Sequence, residues 1–161
     1  MLLYAPLYRD VRVAMESWFR QEAPDTWIDV YIERYNPLPR QGAYPNLAVK
    51  SEIARQIVLA ALYDYLYIVE DDIVLPDNAV ELLLQVNNPI VVGLHRGRPE
   101  TWGRSGLCVR IADSDGPQDS DDRPLTVEDV KIWGEVIQVT DSSQACMLIT
   151  RELCLELEGV I

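Results

Sequence analysis

The chain has 161 residues, 48% of them apolar and 25% charged, which fits one compact globular domain and argues against disorder as a description of the whole chain. Fourteen Lys and Arg against 26 Asp and Glu leave a formal charge of −12 at pH 7, a surface that repels phosphate backbones and anionic membranes and argues against a nucleic-acid partner. No apolar stretch reaches the ~20 residues of a membrane span, and Pro6, Arg9 and Asp10 interrupt the N-terminus too early for a signal peptide.

Leu2-Leu3-Tyr4-Ala5 is a short apolar run closed by Pro6, as a first buried strand would be. Val11, Ala14, Met15, Trp18 and Phe19 follow at the spacing of one helical face, and Pro24 ends that helix. Residues 27–35 (WIDVYIERY) are rich in strand formers, and residues 36–45 carry Pro37, Pro39, Gly42 and Pro45, the composition of a loop. Asn46 is placed to cap a helix from about 47 to 62 with Ile53, Ala54, Ile57, Val58 and Ala61 as its stripe.

Residues 65–69 (YLYIV) form a continuous apolar run, the pattern of a strand covered on both faces. It stops at Glu70-Asp71-Asp72. Pro76 and Asp77 open a further helix with Val80, Leu83 and Leu84, and IVVGL (90–94) is the next strand. Residues 112–129 are polar and acidic and are expected to be a loop. VIQVT (136–140) and ACMLI (145–149) are strand candidates, and Thr150 is placed to cap a last helix, RELCLEL. Cys108, Cys146 and Cys154 lie in apolar segments without metal-site spacing, so buried free thiols in a reducing, cytoplasmic compartment are expected.

The alternation of strands and helices predicts an α/β domain with a mainly parallel sheet. Such sheets bind ligands beyond the carboxyl ends of their strands, where Glu70-Asp71-Asp72 would sit. Three adjacent carboxylates repel: at ~4 Å a pair costs about 1 kcal/mol in water and about 4 kcal/mol at an effective dielectric near 20. A hard divalent cation, Mn²⁺ or Mg²⁺, removes that conflict and takes oxygen ligands from carboxylates, phosphates and water. If extension persists, Glu70 and Asp72 share one side and Asp71 faces the other. The alternative is a solvated acidic turn with Asp77 capping the next helix.

The segment YLYIVEDDIVLPDNAVELLL resembles the DxD region of GT-A fold glycosyltransferases, especially family 2-like members. YAPLYRD is similar to their first-strand segment, IVVGLHRGR to the strand after the DxD helix, and VIQVTDSSQACMLITREL to the later strand pair near sugar and acceptor. The resemblance implies a GT-A, Rossmann-like three-layer sandwich formed by residues 1–161 as one domain. It implies a transferase moving a sugar from a nucleotide-sugar donor to an acceptor hydroxyl. It makes Asp72 the principal metal ligand, Glu70 a contact to metal or ribose, and Asp71 a supporting acid. It sets Pro6, Tyr8 and Arg9 beside base and phosphates, Glu33 on a base N–H, and Lys50 among the basic residues of the donor site; the alternatives are a core role for Tyr8, a surface charge at a helix start for Arg9, and solvated side chains for Glu33 and Lys50. Relatives carry their general base after the strand pair, and the chain is expected to end before that element. Asp141 is the acid that can be nominated as base here, with a turn role in TDSS as the alternative.

His95 is a candidate for metal or pyrophosphate contact, with a core or surface histidine as the favoured alternative, and Arg96 and Arg98 close by are candidates to offset leaving-group charge. Trp102 and Trp133 are candidates for stacking on an acceptor sugar, and core roles are the alternative for both. A non-catalytic nucleotide- or sugar-binding module is the second reading of the whole chain. A receiver-type signalling domain is a third, disfavoured because its acidic pair belongs near the chain start.

Overall fold

The computed structural model describes residues 1–7, 11–38, 43–95, 109–111, 123–124, 139, 141–142 and 145–157. Contacts divide the chain into two compact units, Met1–Gly93 with Gln144–Ile161, and Leu94–Ser143.

The first unit is a mixed α/β structure. Its strands are β1 (Leu2–Pro6), β2 (Asp29–Glu33), β3 (Tyr65–Val69), β4 (Ile90–Val92) and β8 (Cys146–Thr150), in the spatial order β2-β1-β3-β8-β4. β1 pairs in parallel with β2 and β3, while β8 runs antiparallel between β3 and β4. Four of the five strands therefore point one way, and the sheet is mostly parallel.

Its described helices are α1 (Arg12–Phe19), α2 (Ala43–Ala61), α3 (Ala79–Gln85) and α4 (Arg151–Glu156). Alternation along the strands divides the core in two. Leu3, Ala5, Tyr67, Val69 and Leu148 cluster with Ala14 and Trp18 of α1 and Ala79 and Val80 of α3. Leu2, Tyr4, Leu66, Ile68, Met147 and Ile149 cluster with Ala54 and Val58 of α2 and Cys154 of α4. Helices thus cover both faces of the sheet, which explains the unbroken apolar sequences of β1 and β3.

Several local expectations change. Phe19, expected on the buried stripe of α1, is 62% exposed, and the buried face runs through Ala14, Ser17 and Trp18. Ser17 and Gln21 can be buried because loop main chain satisfies them: Ser17 Oγ accepts from Leu75 N–H (2.9 Å), and the Gln21 amide donates to the Pro76 carbonyl (2.9 Å). Asn46 does not cap α2, which begins at Ala43. Its side chain instead accepts from Leu38 N–H and donates to Leu38 C=O, each at 2.8 Å, and so ties Leu38 to the first turn of the helix. Pro45 is tolerated because the first turn of a helix needs no N–H there.

α2 ends on Leu62 in the left-handed region (φ 59°), and Tyr63 N–H reaches back to the Val58 carbonyl at 3.1 Å. That bond closes the helix in the manner of a Schellman cap, with leucine where glycine is usual. Asp77 does not cap α3; it pairs with Arg20 at 3.3 Å in solvent. Thr150 does cap the last helix, accepting from Leu153 N–H at 3.3 Å. Cys146 and Cys154 are buried free thiols, as expected, and Cys108 lies outside the described residues.

The second unit contains β5 (Val109–Ile111), β6 (Arg123–Pro124) and β7 (Asp141–Ser142), an antiparallel sheet in the order β6-β5-β7. β6 falls inside the stretch expected as a loop. The expected strand 136–140 lies outside the described residues except Val139, which is in no regular element. No described helix is long and apolar enough to cross a membrane.

Candidate functional site

β2, β1 and β3 are parallel neighbours, so their carboxyl ends share one edge of the sheet. Pro6 at the end of β1 is paired in register with Glu33 at the end of β2. On the other side Tyr4 is level with Ile68, and continuing that register two residues brings Pro6 level with Glu70. The fold therefore gathers Pro6, Glu33 and the acidic run, which are far apart in sequence, along one rim.

The acidic run leaves the strand as a turn. Glu70 N–H still bonds to the Ala145 carbonyl (2.9 Å), and Ile73 N–H then closes onto the Glu70 carbonyl (3.1 Å). Extension does not persist, so the alternation expected for Glu70, Asp71 and Asp72 gives way to turn geometry. Glu70 is half-buried, Asp71 is buried and Asp72 is exposed. Burial pushes the Glu70 carboxyl above its ordinary range, and the charges of Asp72 and Asp71 add to that.

Behind this rim lies Lys50, a fully buried lysine of α2. Its ammonium donates to the Leu7 carbonyl at 2.8 Å and to the Glu33 carbonyl at 3.4 Å. Burial lowers its pKa, opposed by the nearby charges of Glu33 and Asp71. The Glu33 carboxylate accepts from Tyr35 N–H at 2.7 Å, which orients it at the strand exit.

The loop after the turn is clamped by α1. Trp18 Nε1 donates to the Ile73 carbonyl (3.0 Å), Ser17 holds Leu75, and Gln21 holds Pro76 and also accepts from Val80 N–H (3.2 Å). None of these three residues has a functional signature in sequence. The one available signal was the polar pair Ser17 and Gln21, spaced i, i+4, on the apolar side of α1.

Among the described residues no three His, Cys, Asp or Glu side chains converge to hold a metal ion. Glu70 and Asp72 provide two carboxylates on one turn. That donor set fits Mg²⁺ or Mn²⁺, which commonly take one or two carboxylates and complete their shell with phosphate and water. Tyr8 and Arg9 lie outside the described residues, as do Arg96, Arg98, Trp102 and Trp133. Asp141 is the first residue of β7, level with Arg110, and its side chain is outside what is described. His95 belongs to the second unit.

Among solved structures, the chain is similar to A197 from STIV, with a TM-score of 0.54 and 18% identity over 96% of this chain and 66% of that one. At that identity the likeness carries the fold alone. The chain thus spans just under two thirds of A197. No model of a known protein family matches the chain, and no curated protein does.

Proposed function

We propose that this chain is a GT-A type, Rossmann-like glycosyltransferase domain that uses Mn²⁺ or Mg²⁺ to transfer a sugar from a nucleoside-diphosphate donor to an acceptor hydroxyl. The observation that carries the proposal is the placement of Glu70-Asp71-Asp72 at the carboxyl end of β3, beside the carboxyl ends of β1 and β2. In open α/β sheets that edge is where ligands bind.

Within this reading, Asp72 is the principal metal ligand and Glu70 the second. Its raised pKa marks a charge that gains from a nearby cation. A bound cation would neutralise charge on the leaving diphosphate. Glu33 and Pro6 border the space for the base. The buried thiols Cys146 and Cys154 fit a reducing, cytoplasmic setting.

The test is nucleotide binding by the full chain. UDP, GDP, CMP and dTDP are titrated with and without Mn²⁺, followed by thermal shift; a ligand at ~100 times its Kd adds about 2.7 kcal/mol. One nucleoside diphosphate should bind more tightly with metal, and Asp72→Ala should remove the difference. Equal affinity with and without metal in the wild type overturns the proposal. Binding with neither donor hydrolysis nor transfer would leave a non-catalytic nucleotide-binding module.

A further inference from the structure

We propose that Lys50 is a positioning residue: its buried ammonium straps the exits of β1 and β2 together beneath the rim and acts on a ligand only through the main chain it holds. Strand β1 ends at Pro6 and β2 at Glu33. One further ladder bond, Leu7 N–H to the Glu33 carbonyl (2.9 Å), joins them beyond the strands. Lys50 then bonds to the carbonyls of Leu7 and Glu33, one on each exit. It takes the place of the next rung where the two chains leave the sheet.

A strap of this kind is a costly choice. Lysine is among the residues least often buried, and a buried ammonium is tolerated when its donors are satisfied and opposite charge is near. Here the carbonyls satisfy donors, and Glu33 of β2 and Asp71 of the turn after β3 supply the charge. An apolar side chain of similar length would fill the same volume but would bond to neither carbonyl. The ammonium also stands where its charge reaches the buried member of the acidic run.

The value of the strap to a ligand rests on the function proposed above; the strap itself does not. Its test uses the full chain as wild type, Lys50→Met, Lys50→Arg and, as a control, Val58→Ala, a buried apolar change on the same helix facing the α2–α4 cluster. Without ligand, amide exchange at Leu7 should quicken about tenfold or more in K50M while Tyr67 in β3 stays protected. With UDP or GDP and Mn²⁺, K50M should weaken binding about tenfold, K50R should recover part of it, and V58A should leave it unchanged. Unaltered exchange at Leu7 in K50M overturns the strap. Faster exchange with unaltered nucleotide affinity, or an equal loss in V58A, overturns the positioning role. Faster exchange in a chain whose wild type binds none of these nucleotides leaves the strap standing and removes the glycosyltransferase reading. Should K50M not fold, the wild type decides: a protected Lys50 ammonium gives a persistent ¹⁵Nζ signal at neutral pH, and its absence overturns the strap.

Discussion

The indole N–H of Trp18 donates to the main-chain carbonyl of Ile73, 55 residues later in the chain, at 3.0 Å. Trp18 is fully buried against the sheet, so this bond transmits the position of α1 directly to the residue that closes the acidic turn. Trp18→Phe keeps most of the packing and leaves that carbonyl short of a donor. A loss of about 1–3 kcal/mol is expected in urea denaturation. Exchange of the Ile73 amide should quicken with it; an unchanged amide would mean that the turn stands without α1.

Burial separates the roles of two neighbouring acids. Asp71 is 6% exposed and lies near enough to Lys50 to favour its charged form, whereas Asp72 is exposed. Asp71→Asn should lower stability by about 1–3 kcal/mol because a buried charge beside a buried ammonium is lost. Asp72→Asn should change stability by less than about 0.5 kcal/mol while removing the effect of Mn²⁺ on nucleotide binding. Parallel denaturation curves and titrations check both.

Gly93 leaves β4 against Cys146, where its N–H meets the Cys146 carbonyl at 2.8 Å. A Cβ at this position would stand 2.5 Å from Cys146 Sγ, and that thiol is itself held by the Tyr67 hydroxyl at 3.0 Å. Gly93→Ala should therefore cost about 1–3 kcal/mol through overpacking. Removing the sulfur in the G93A/C146A double variant should recover much of the loss relative to C146A alone. A double-mutant cycle with no coupling would contradict the steric account.

Leu62 is 70% exposed and holds φ at 59°. It gains little from burial and carries the left-handed penalty of an L side chain, about 1–2 kcal/mol. Leu62→Gly is expected to raise stability by about 0.5–1 kcal/mol once the entropy cost of glycine is subtracted. A lower melting temperature for L62G would show that the leucine side chain makes up the difference.

Glu52 accepts from Arg55 at 2.7 and 2.9 Å, and Arg55 in turn donates to the Cys154 carbonyl at 2.9 Å, joining α2 to α4. Hydrogen bonds from Arg55 and then Gln56 hold the Glu52 carboxyl down at about 2, from 4.5. A depressed acid contributes stability that is complete above its unfolded pKa and is lost as pH falls through the folded one. Stability should therefore decline between about pH 4.5 and 2, and Glu52→Gln should flatten that part of the profile. The effect is modest because the Glu52 side chain is 36% exposed and screened by solvent.

The main elements were legible in the chain because their physics is local. The run YLYIV needs cover on both faces, the stripe through Ala54 and Val58 needs one apolar neighbour, and Thr150 has the hydroxyl that the helix after it requires. Errors arose where distant groups changed the local balance. Phe19 fits the apolar spacing of α1 as well as Trp18 does, yet Ser17 and Gln21 take the inner face because main chain from 75, 76 and 80 meets them there. Asn46 has the residue type of a cap, but its partner Leu38 lies eight residues back, beyond the reach of a local pattern.

By itself, the sequence determined an alternating α/β chain with a strand that ends in three acids, since periodicity and composition act over a few residues. The tertiary structure alone decided that β8 enters antiparallel between β3 and β4, that the acids form a turn with Asp71 inside and Asp72 outside, and that Lys50 is buried. Each of those outcomes depends on which remote carbonyls and charges come within a few ångströms. Pairing across 43 residues, as between Lys50 and Leu7, leaves no trace in local pattern.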